Sequence, residues 1–77
     1  MQKVVKIFQK NKFQEIRIGI TEYEGNDLID IRTWTQRPDS EEKTSTSKGV
    51  SINVKLYHEL KEAILALEKE LKDAKFI

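Results

Sequence analysis

Seventy-seven residues and 9.0 kDa make one domain, and a chain this short buries only about 60% of the surface it exposes when unfolded, which brings self-association into view at once. Charged residues are 35% and hydrophobic residues 38% of the chain, the balance of an ordinary folded domain, and a net charge of +1 announces no polyanionic partner. The absence of cysteine excludes disulfides, thiol nucleophiles and cysteine-ligated zinc and fits a reducing cytoplasm, while no apolar run approaches the roughly 18 residues of a membrane span and Met1 to Lys6 carry no leader pattern, so no membrane partner is expected.

Residues 1 to about 53 hold every glycine and the one proline and are rich in β-branched residues; residues 54 to 77 contain no Gly, Pro, Ser or Thr. The first part reads as strands and the second as one helix. Val4, Val5, Ile7 and Phe8 predict a short first strand, closed by a turn at Lys10-Asn11-Lys12. In the second strand Ile16, Ile18 and Ile20 alternate with Arg17, Gly19 and Thr21, a period of two with one buried face. Glu24-Gly25-Asn26-Asp27 is a turn signal. The third strand, Leu28 to Thr35, buries Ile29 and Ile31 and shows Asp30, Arg32 and Trp34 on its other face. Gln36 to Ser47 is polar throughout and reads as a mobile loop. Val50, Ile52 and Val54 form a last short strand, and Asn53 suits a helix N-cap. Beyond it Leu56, Tyr57, Leu60, Ala63, Ile64, Leu67, Leu71 and Ala74 fall on one face of a helix, with Leu65 opposite and Glu68–Lys72 as an i,i+4 pair. The expected architecture is α+β, a four-stranded antiparallel sheet followed by one C-terminal helix (ββββα). With the helix on one face, the other face of the sheet is where function is sought.

Nothing in the chain makes an enzyme, and no catalytic residue, metal or cofactor is expected. His58 lacks the second histidine of a helical zinc site and reads as a solvated helix residue. The hydroxyls of Thr44 to Ser47 have no base at a recognisable spacing. Gly19, Gly25 and Gly49 are too scattered to cradle a phosphate. The open sheet face is more informative. Strand parity puts Arg17, Gly19, Thr21 and Tyr23 on it, together with Arg32 and Trp34, while Lys43 and Lys48 lie in or just after the loop that folds over it. Aromatic rings stack on exposed bases and cations follow phosphates, the pairing that single-stranded nucleic acid requires. On pattern alone Trp34 stays open between packing and platform, and Lys43 and Lys48 between ligand contacts and ordinary surface charge.

The stretch Leu28-Ile29-Asp30-Ile31-Arg32-Thr33-Trp34, then a polar loop, then Lys48-Gly49-Val50-Ser51-Ile52-Asn53, resembles the positive cofactor four family, most closely its compact bacterial and phage branch. The resemblance runs from about Phe8 to Ile64. It implies a single domain over residues 1–77 that forms a homodimer with helices at the interface and binds single-stranded DNA with little sequence preference. By position it implies base stacking for Tyr23 and Trp34 and phosphate contact for Arg32 and Lys48, with Lys43 in a region where relatives are often basic. Arg17 is added from strand parity alone. Where eukaryotic relatives carry lysines after the second strand, this chain has Glu24 and Asn26. Transcription machinery is an implied partner, and a replication or repair accessory role is equally compatible. A protein-interaction adaptor and a single-stranded RNA binder remain alternatives, because DNA and RNA are told apart by contacts to the 2′-hydroxyl that no motif here encodes.

Overall fold

The computed structural model describes residues 1–77 as one antiparallel sheet followed by a helix. The strands are β1 (Lys3–Gln9), β2 (Gln14–Tyr23), β3 (Asn26–Gln36) and β4 (Lys43–Asn53), hydrogen-bonded in sequence order. A 3₁₀ turn over Val54–Leu56 leads into the helix α1 (Tyr57–Asp73). Glu24 and Gly25, at φ 50° and 80°, join β2 to β3 between the paired Tyr23 and Asn26. Positive φ at both central residues is the requirement of a type I′ hairpin, which glycine meets without strain.

Register carries the sequence alternation into two distinct faces. Ile18, Ile31 and Val50 share one row across the sheet, and Ile20, Ile29 and Ile52 the next. On the opposite face Arg17 is paired with Arg32, Gly19 with Asp30, and Glu15 with Trp34. Two glycines let both edges of the sheet bend toward this second face. A Cβ on Gly19 would stand 2.3 Å from the Lys3 carbonyl oxygen, and one on Gly49 would stand 2.6 Å from that of Ile31. Each edge strand also breaks register, β1 between Val4 and Lys6 and β4 opposite Arg32–Trp34. Such bulges increase local bending and twist, so the face bearing Arg17 becomes a concave floor.

Three expectations change. The polar stretch read as a loop from Gln36 to Ser47 is a loop only over residues 37–42; β4 begins at Lys43, and both Lys43 and Lys48 are strand residues. Hydrophobic periodicity misses this half of β4 because an edge strand can pair its backbone while exposing polar side chains on both sides. Val54 lies in the 3₁₀ turn, and Asn53 caps that turn, its side chain accepting from the Lys55 amide. The third change concerns the helix. It meets little beyond the turn that leads into it, and no residue of it is buried. Ile64, Leu65 and Leu67 are 53%, 48% and 56% exposed, so among the large side chains of the stripe only Leu60 and Leu71, both half-buried, are better covered than the leucine opposite it.

The chain consequently has no buried hydrophobic residue. Its radius of gyration is 14.7 Å, against about 11–12 Å for a compact domain of this length. It exposes 6373 Å², where a compact monomer of this mass exposes about 4,900 Å². A helix held off its own sheet accounts for both excesses.

Candidate functional site

The concave face is built from alternate residues of three strands. β2 contributes Glu15, Arg17, Gly19, Thr21 and Tyr23, β3 contributes Asp30, Arg32 and Trp34, and β4 contributes Lys43, Ser45 and Ser51. Two adjoining depressions follow it. One is lined by Arg17, Gly19, Thr21, Asp30 and Trp34 among others. The second runs from Trp34 and Arg32 to Tyr23 at the hairpin end. Tyr23 is 66% exposed. Its row lies eight residues of β3 from that of Trp34, roughly 27 Å at strand rise, a length that spans several nucleotides.

Ion pairs hold the cations of this floor in place. Glu15 is one of only two buried residues, and its carboxylate accepts from Arg17 Nε and Lys43 Nζ, each at 2.5 Å. Those hydrogen bonds, from Lys43 first and Arg17 second, hold the Glu15 carboxyl below its ordinary value against a smaller opposing effect of burial. Arg17 in turn lies over the Trp34 ring, its guanidinium carbon 4.0 Å from the ring centroid, which is close cation–π geometry. Arg32 is fixed separately. Its Nη2 and Nε bond to Asp30 at 3.0 and 3.2 Å, and its Nη1 donates to the Thr46 carbonyl at 2.9 Å. The Ser51 hydroxyl donates to the same Asp30 carboxylate at 2.8 Å.

Five of the six residues singled out from sequence therefore share one surface: Arg17, Tyr23, Arg32, Trp34 and Lys43. Lys48 does not join them. It sits in the β4 bulge, exposed, with its backbone amide bonded to Thr46 Oγ1 and its ammonium unpaired. The two acids that organise the floor, Glu15 and Asp30, lie outside the six candidates from sequence; parity puts Asp30 on the face, but a carboxylate there carries no binding signal of its own. Phe13, 59% exposed with Lys12 Nζ 5.5 Å from its ring centroid, stands just beyond Glu15 where the β3–β4 loop begins. No cluster of His, Cys, Asp and Glu is placed to hold a metal ion, and no helix is long and apolar enough to cross a membrane.

Residues 10–63 match the family model of the Transcriptional Coactivator p15 (PC4). The chain is similar to the crystal structure of a PC4 homolog from Burkholderia pseudomallei, with a TM-score of 0.79 and 28% identity over 90% of this chain and 92% of the other. The tetragonal crystal form of the same homolog gives 0.77 and 26% over 88% and 98%. A bacteriophage T5 homolog of the eukaryotic coactivator, described as implicated in recombination-dependent DNA replication, shares the fold at a TM-score of 0.67 and 20% identity, over 96% of this chain and 81% of that one. Among the curated proteins none matches significantly.

Proposed function

The chain belongs to the transcriptional coactivator p15 (PC4) family, and from that premise we propose that it binds single-stranded DNA on the concave face of its sheet, as a homodimer, with little sequence preference and without catalysis. Family membership supports a nucleic-acid-binding or coactivator-like role. One observation carries the finer reading: Tyr23, Trp34, Arg17, Arg32 and Lys43 converge on a single open floor. Stacking surfaces interleaved with cations suit bases that are already unpaired, since a duplex hides its base faces. The residues 1–77 act as one binding domain in this reading, in the bacterial or phage cytoplasm at the nucleoid, serving transcription or recombination-linked replication.

The dimer is proposed on surface area. The excess of about 1,500 Å² over a compact monomer is what an obligate interface removes from each partner. The isoleucine face of the sheet is only half-buried and most of the helix stripe is exposed within the single chain, and a second copy of the chain supplies the same two surfaces in complementary form.

The test is a titration with a single strand, the matched duplex and the corresponding RNA at one stated salt concentration. Single-strand binding at least tenfold tighter than duplex is expected, and comparable or tighter duplex binding would end the reading. Tighter RNA binding would replace DNA by RNA as the ligand.

A further inference from the structure

The Trp34 ring does not offer both faces to a base. At 4.0 Å from ring centroid to guanidinium carbon, Arg17 and the indole are in van der Waals contact. A nucleobase is a slab of about that thickness and cannot enter between them unless Arg17 leaves. Glu15 opposes its leaving. Glu15 is 5% exposed, its carboxylate bonded to Arg17 Nε and pinned from its other oxygen by Lys43. Arg17 keeps 25% of its side chain exposed and lines the first depression. Gly19, next along the same face, raises no side chain beside it.

Resting on the single-strand reading above, we infer that a base stacks on the guanidinium plane of Arg17, backed by Trp34, and that Glu15 is the positioning residue holding that plane in place. Arginine planes stack on unpaired bases as aromatic rings do, and the same group carries a charge toward the adjoining phosphate. The arrangement also explains why an acid lies beneath a floor meant for a polyanion. A carboxylate there opposes phosphate by its charge, and its use is to orient the cation above it.

The test titrates a fluorescein-labelled oligothymidine into wild type, Arg17→Lys, Arg17→Ala, Glu15→Gln and the Arg17→Ala/Glu15→Gln double variant, with melting temperatures from the same preparations. Arg17→Ala is expected to weaken binding roughly tenfold or more, the loss typical of one stacked base. Arg17→Lys keeps charge and length but has no plane, and is expected within threefold of Arg17→Ala. Glu15→Gln is expected to weaken binding on its own, yet to change the Arg17→Ala protein less than twofold, because coupled residues are non-additive. A purely structural Glu15 would instead weaken both backgrounds alike. Arg17→Lys binding within threefold of wild type would reduce Arg17 to a phosphate contact and overturn the inference. Tighter binding by Arg17→Ala would make Arg17 a cover over Trp34 and overturn it too, and tighter binding by Glu15→Gln would remove the positioning role. Wild type that binds no single strand overturns the proposed function as well, and so is distinguished from every other outcome.

Discussion

Glu15 ties stability to pH as well as to the site. Its carboxyl is held below its ordinary value by hydrogen bonds from Lys43 and Arg17, so the folded state favours the ionised form more than the unfolded chain does. That contribution is complete above the unfolded value and is lost as pH falls through the lower, folded value. Wild type is therefore expected to melt higher than Glu15→Gln at pH 7, with the gap closing as the pH falls through and below the ordinary carboxylate value. Thermal melts of both proteins across that range check it; a gap independent of pH would assign the effect to packing. The aromatic residues make a different prediction. Trp34 is half-buried in a protomer with no apolar core, so Trp34→Ala is expected to stay folded, while it and Tyr23→Ala each lose about 1–3 kcal/mol of single-strand affinity. Lys48→Ala, which alters an unpaired ammonium at the edge, is expected to leave melting unchanged and to cost less than either aromatic variant.

At the scale of elements, the curvature of the sheet depends on two positions where a side chain cannot fit. Gly49→Ala would put a Cβ 2.6 Å from the Ile31 carbonyl oxygen and 2.9 Å from Arg32 Cα, both backbone atoms of a central strand. β4 must then move off β3, taking with it the Thr46 carbonyl and Ser51 hydroxyl that hold Arg32 and Asp30. The expected outcome is a loss of about 1–3 kcal/mol of stability, read from denaturant unfolding, with single-strand affinity falling in the same variant. The helix is stable locally for reasons of its own. Its end is closed by Lys75 at φ 64°, with Phe76 N donating to the Leu71 carbonyl at 2.8 Å and Lys75 N to that of Lys72 at 3.0 Å, the double bond of a Schellman cap. Glu68 and Lys72 pair at 3.1 Å on an exposed surface, worth a few tenths of a kcal/mol. These devices terminate and solubilise the helix; they do not dock it. Leu67→Glu separates the two cases: on a free helix face it changes stability by about 0.5 kcal/mol or less, whereas at a dimer interface it buries a charge and dissociates the protein. Sedimentation is expected to show the variant as a monomer or unfolded.

For the whole molecule, the proposed dimer and the absence of a buried apolar core in the single chain together make assembly and folding one equilibrium. Its melting temperature is expected to rise with protein concentration, as it does when only the associated state is stable, and a concentration-independent melt at micromolar levels would contradict the dimer. The charge distribution sets the salt response. Arg17, Arg32 and Lys43 face Glu15 and Asp30 on the same floor, so the cations are largely compensated before any phosphate arrives. With about −0.7 per neutralised phosphate for single strands, log K against log salt is expected to fall with a slope of about −1.4 to −2.8 per protomer. A much steeper slope would show that stacking contributes little.

The period of two in Ile16-Ile18-Ile20 and in Ile29-Ile31 was enough to separate the faces, because strand geometry alone sends alternate residues to opposite sides. The Glu24-Gly25 turn, the Asn53 cap and the apolar stripe from Leu56 onward are equally local, each set by the chemistry of a few neighbouring residues. That parity alone puts Arg17, Tyr23, Arg32 and Trp34 on one face. The first half of β4 is not legible in the sequence, because Lys43 to Ser45 pair with β3 through backbone atoms that leave no mark on side-chain patterning. Nor is the ion pairing of Glu15 with Lys43, 28 residues apart in the chain, which arises only when β2 and β4 reach across the end of β3. The position of the helix was decided in the same way. Its stripe specifies that an apolar surface must be covered, while which surface covers it depends on the turn at Val54–Leu56 carrying the helix away from the sheet that precedes it.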